Sequence, residues 1–314
     1  MAITGTGTEL DPYIVHSYDE MKTACEYENY DSGTSTYGTN YVKLANDIDC
    51  NDYGSAWEWE PIDLKNTTSG SQHFTELDLD GHTIKNVYVK TGSYRMFTGS
   101  GSSTSYFDYG VIKNGKILNV FASNSYGFAQ HVSFKNISFS GNYSSLSGSA
   151  NSAVFSSCQF YECAIYLESA NHGNHVIFTA SPLKMINTDV ELHIDNITNG
   201  SVVVFNLGSG VRQVENSRIT GSLTGTSEIT TANSDLIANY GLTNCVIELN
   251  ISGFTPKSTL STTRVLNNSP TSVINDAAIL PWMTVGTTIA APSGAAMRSA
   301  SSLNGLGFTV VPRE

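Results

Sequence analysis

Residues 111–121, Val-Ile-Lys-Asn-Gly-Lys-Ile-Leu-Asn-Val-Phe, and residues 133–141, Ser-Phe-Lys-Asn-Ile-Ser-Phe-Ser-Gly, carry the same phrase. A large apolar residue is followed two positions on by Asn, and three positions later by another large apolar residue. The phrase occurs seven times, once with Ser for Asn: Ile84-Asn86-Val89, Ile112-Asn114-Ile117, Phe134-Asn136-Phe139, Phe155-Ser157-Phe160, Met185-Asn187-Val190, Val214-Asn216-Ile219 and Leu242-Asn244-Ile247. Successive Asn or Ser positions are 28, 22, 21, 30, 29 and 28 residues apart, the size of one supersecondary unit.

Within each copy, the residue after the Asn is mostly small or apolar, the next is mostly polar, and the third is large and apolar. This is the period-two alternation of a strand with one buried face. Asn tolerates a left-handed backbone better than other non-glycine residues, so it can bend the chain sharply between two strands. Stacked turns of this kind bring their amides into a ladder. One such coil on another makes a parallel β-helix, and the crossover rule favours right-handed winding. Helical repeats of similar length require apolar residues at i, i+3, i+4 and i+7, and no stretch between Asp78 and Gly253 sustains that pattern.

Composition narrows the partners. Only 14% of residues are charged, the net charge is −12 and the pI is near 4.9. Neutralising phosphates needs clusters of Lys and Arg, so nucleic acid is excluded as a partner. No segment has the roughly 18 to 20 apolar residues of a membrane span, which argues against membrane insertion. The N-terminus lacks the basic and apolar regions of a secretory signal. With the initial Met, this gives the expectation of a complete chain that is assembled in a cytoplasm. The five cysteines, Cys25, Cys50, Cys158, Cys163 and Cys245, show no paired spacing. Cys158 and Cys245 fall at inward positions, where a thiol acts as a small hydrophobe.

Three regions are expected: a cap segment over residues 1–40, a β-helix over 41–254 and a separate assembly or attachment segment over 255–314. In the first, Ser17 can cap a short helix with Glu20 three residues on. That helix would hide the solenoid's open edge. After Gly253 the Asn rhythm stops.

The opening GTGTELDPYIV (5–15), then YVKLANDIDC (41–50), the Asn-turn coils and the closing LNGLGFTVV (303–311) resemble the parallel β-helix proteins of tailed-phage spikes and fibres and of bacterial surface adhesins. The resemblance implies a homotrimer on the exterior of a virion, contacting other virion proteins and a host-surface polysaccharide. Some members cleave that polysaccharide, so the residues must decide.

Cleavage of a glycosidic bond usually needs two carboxylates on one groove, roughly 5 to 10 Å apart. Asn187-Thr-Asp189 matches one short motif of the polygalacturonase-like family, but the rest of that pattern is missing. Glu191 and Asp195 lie near it in sequence, and Glu162 and Glu168 belong to an earlier coil, with no pair standing out. Arg218 and Lys116 read as isolated outward cations. His172 and His175 flank Gly173-Asn174 without an identifiable carboxylate partner. Asp47, Asp49, Asn51 and Glu58 fall at positions 1, 3, 5 and 12 of a calcium loop, but Asp52 stands where that loop needs Gly.

Aromatic surface is the stronger candidate for recognition, since rings stack on the C–H faces of sugars. Tyr53, Trp57, Trp59, Tyr106 and Tyr109 are therefore the expected carbohydrate-binding residues, against the competing reading that Trp57 and Trp59 close the N-terminal core. The expectation is a non-enzymatic phage spike or fibre that binds a host-surface glycan, without metal or cofactor. A polysaccharide-degrading tailspike and an exported bacterial adhesin are the alternatives.

Overall fold

A computed structural model of the chain describes residues 3–274 apart from 32–35, 67–72, 90–94, 100–109, 124–126, 145–152, 172–175, 181–182, 198–203, 208–211, 226–227, 230–234, 239–241, 257–263 and 267–272. His172, His175, Tyr106 and Tyr109 lie outside the described residues, as does 275–314.

The chain is a parallel β-helix. On one face Ile48, Ile84, Ile117, Phe139, Ile165, Val190, Ile219, Ile247 and Ile274 pair in register, coil upon coil. On a second, Val42, Leu77, Ile112, Phe134, Phe160, Met185 and Val214 do the same. A third stacks Ile62, Phe97, Ala129, Phe155, Phe178 and Phe205. Across these columns the side chains from Val42 to Ile247 are buried and form one continuous core. Rings in it lie flat on one another: Phe134 on Phe160 at 5.3 Å and 5°, and Phe155 on Phe178 at 5.6 Å and 9°. Each buried Phe contributes about 1.5–3 kcal/mol through its area removed from water.

The corners explain the repeat. Asn114, Asn136, Glu162, Asn187, Asn216 and Asn244 all have φ between 50° and 57°. The register of their neighbours puts the first five on one edge, and a side-chain hydrogen bond continues it to Asn244. Asn136 Nδ2 donates to Asn114 Oδ1 at 3.3 Å, and Asn114 Nδ2 donates to Asp78 Oδ1 at 3.2 Å. Asn86 and Ser157 depart from the expectation. Asn86 stacks under Asn119 at a second corner, with Asn119 Nδ2 donating to Asn86 Oδ1 at 3.2 Å. Ser157 follows Ser156, which pairs with Gln130, so it stands beside His131 at a third. All three corners need a left-handed residue between apolar strands, so all three produce the same phrase in sequence.

The cap is built as the sequence implies. Helix α1, Tyr18–Cys25, begins at Ser17, whose Oγ accepts the Glu20 N–H at 3.2 Å. The Glu20 carboxylate accepts the His16 N–H at 2.8 Å, one residue earlier than a capping box would place it. Tyr18, Met21, Ala24 and Cys25 are buried against the first coils. Strand Tyr13–Val15 pairs in parallel with Thr39–Leu44, so the segment before residue 41 is itself part of the ladder. The ladder also runs past Gly253, where Arg264–Leu266 pairs with Asp235–Ala238 and Val273–Ile274 with Val246–Ile247. No helix among the described residues is long and apolar enough to cross a membrane.

Candidate functional site

Outward residues follow the same registers as inward ones, so coil stacking assembles columns on the surface. Tyr88, Phe121, Asn142, Glu168, His193, Ser222 and Asn250 form one such column along the axis. Ser140, Tyr166, Glu191, Thr220 and Glu248 form the column beside it. An open groove of about 520 Å3 lies over both, lined by Tyr88, Phe121, Tyr166 and Glu168 and by the amides of Asn86, Asn119 and Asn142.

Two features of the groove carry chemistry. The first is aromatic. Tyr88 is 53% exposed and Phe121 36%, with ring centroids 5.9 Å apart, although the remaining column residues are polar. An outward Phe beside an outward Tyr forms a small apolar platform in a polar row. The second is a square of polar residues on two adjacent coils. Tyr166 pairs in register with Glu191, and Glu168 with His193. The Tyr166 hydroxyl donates to Glu168 Oε1, and Asn142 Nδ2 approaches Glu168 Oε2 at 3.4 Å. His193 Nε2 lies 2.9 Å from Glu191 Oε1, and its ring stands 5.5 Å from that of Tyr166. The Glu168 hydrogen bond, then burial and the charges of Glu168 and Glu191, push the Tyr166 hydroxyl up to about 12. Tyr166 therefore stays protonated and donates to Glu168. Glu168 and Glu191 are thus diagonal neighbours on adjacent parallel strands.

The aromatic residues singled out in the sequence fall elsewhere. Trp59 is fully buried, its Nε1 donating to Met96 O at 2.9 Å, so it offers no face to a ligand. Trp57 stacks on Tyr53 at 4.8 Å and packs edge-on against Tyr18 of α1. The Tyr53 hydroxyl accepts the Tyr18 N–H at 2.8 Å. These rings join the cap to the first coils, which is the competing reading given above; the reason is their contact with α1.

Other candidates also have structural partners. Asp47 Oδ1 accepts the Thr83 N–H at 2.9 Å, and Asp49 Oδ1 accepts from Asn86 Nδ2 at 2.8 Å. Both bind the next coil. Arg218 is not isolated: its guanidinium donates to Glu248 at 3.1 Å, and it pairs in register with Asp189. All five cysteines are buried and free. Burial pushes the Cys163 thiol up to about 11 and Cys158 to about 12, which removes them as nucleophiles.

Glu168 and Glu191 were both visible in the sequence, but their proximity was not. With Ser157 aligned to Asn187, the intervening coil is counted as 30 residues. The structure aligns Ile165 with Val190 and Glu162 with Asn187, a shift of 25 that places Tyr166 over Glu191.

No family model and no curated protein matches the chain. Among solved structures, it is similar to the one named as a "putative immunoglobulin A1 protease" from Bacteroides ovatus. That likeness has a TM-score of 0.43 and 14% identity over 96% of this chain and 88% of the other. A likeness this distant assigns no chemistry to the present chain. The name nevertheless runs against the expectation of a non-enzymatic protein, and that expectation is not kept.

Proposed function

We propose that the protein engages a surface polysaccharide along its lateral groove, as a β-helical spike or adhesin of the kind its sequence resembles. The observation that supports this reading best is the Tyr88–Phe121 platform, an exposed ring pair set among amides. Rings stack on the C–H faces of a pyranose, and Asn side chains both donate to and accept from its hydroxyls. The columns run parallel to the axis with coils about 4.8 Å apart, close to one sugar unit per coil. On this reading the protein stands on the exterior of a virion as a homotrimer, where weak contacts multiply. The test is binding of the full chain to a panel of bacterial surface polysaccharides. Tyr88→Ala with Phe121→Ala should abolish the binding without changing the circular dichroism spectrum. Undiminished binding by the double variant would overturn the groove as the site.

A second reading, that the groove also cleaves the polymer, is favoured by the Glu168–Glu191 arrangement. Glu168, held by the Tyr166 hydroxyl and the Asn142 amide, is one carboxylate; Glu191, beside His193, is the second. Release of reducing ends that disappears in both Glu168→Gln and Glu191→Gln would support it. Release that survives both would place the chemistry elsewhere.

A further inference from the structure

We propose that the groove accepts uncharged glycans and turns away those bearing uronate, sialate or phosphate, an inference that rests on the glycan reading above and names its substrate class. Among the described residues lining the groove there is no Lys, Arg or His, and their single charge is the Glu168 carboxylate. Of the described residues beside these columns, Lys85 Nζ pairs with Asp49 at 3.2 Å, and His193 Nε2 lies 2.9 Å from Glu191 Oε1. An acidic sugar seated there would lose water from its charge, find no cation among the described lining residues to replace that water and face Glu168 across the groove. The chain's net charge of −12 also repels a polyanion before contact. A neutral pyranose meets none of these penalties. Its C–H face fits Tyr88 and Phe121, and its hydroxyls fit the amides of Asn86, Asn119 and Asn142.

The experiment titrates the full chain with matched polymer pairs: polygalacturonate, hyaluronan and alginate, each beside its carboxyl-reduced form, in which uronates become neutral hexoses with the linkages intact. The reduced member of any pair that binds should bind roughly tenfold tighter or more, with affinity nearly independent of salt. Glu168→Gln should narrow that gap by raising the affinity of the acidic member. Tighter binding of the acidic members would overturn this proposal while leaving the glycan reading in place. A gap unchanged in Glu168→Gln would contradict the assignment of selectivity to this groove. Absence of binding by every member, in both forms, would count against the glycan reading and the proposal together.

Discussion

Single residues set the corners of this solenoid, and their cost is measurable. A residue with a Cβ in the left-handed region costs about 1–2 kcal/mol more than one in the right-handed region, a penalty that Asn largely avoids. Asn114, at φ 57°, also donates to Asp78 and accepts from Asn136. Replacing it by Ala should destabilise the fold by about 2–3 kcal/mol, from the backbone penalty and one or two lost hydrogen bonds. Asn114→Gly keeps the backbone conformation and should cost less, so denaturant midpoints should fall in the order wild type, Gly, Ala. His131 occupies another corner at φ 53°, its Nδ1 3.0 Å from Gly99 O. Burial holds its pKa below the ordinary 6.5, with the charges of Arg95 and Lys65 acting in the same direction and the Gly99 carbonyl opposing them. The unfolded chain therefore takes up the proton first as pH falls. Stability should decline from near pH 6.5 downward until the folded pKa is passed. Thermal midpoints measured across that range should show the decline, and it should be shallower in His131→Asn.

At the scale of the coil, stability lies in columns that repeat without interruption. Phe155 is fully buried and touches Phe134, Phe139, Phe160 and Phe178 at centroid distances of 5.2–6.1 Å. Phe155→Ala should cost on the order of 3–5 kcal/mol, whereas Phe121→Ala on the outward face should change stability by no more than about 0.5 kcal/mol. Chemical denaturation of the two variants side by side checks the assignment of faces. These inward positions were legible in the sequence because alternation and the Asn phrase both mark them. So was α1, from Ser17 and Glu20. The groove was not legible, because an outward residue's neighbours depend on coil length. Counting from Ser157 instead of Glu162 displaced one coil, and with it the meeting of Tyr166 and Glu191. Trp59 misled for a related reason: alternation puts it on one face with Trp57, but only the packing of Tyr18 of α1 and of Met96 around it decides that it is buried.

For the whole molecule, the regular ladder extends from Tyr13–Val15 to Val273–Ile274, beyond the end expected at residue 254. Of the segment 255–314 expected to serve assembly, residues 275–314 lie outside the described residues. If they join three chains, light scattering of the full protein should give a trimer mass, and a chain ending at Ile274 should be a monomer. A monomeric full chain would remove the trimer, and a shortened chain that still trimerises would move its contacts onto the β-helix. The proposed glycan recognition requires an outward face, and the columns beginning at Tyr88 and Ser140 are outward in the single chain. A crystal structure of the protein with a bound neutral oligosaccharide tests that claim most directly. A sugar ring is expected on Tyr88 and Phe121, with the glycan running along the axis past Asn142 towards Glu168. An oligosaccharide bound at the α1 end or on another face, with these two rings bare, would contradict it.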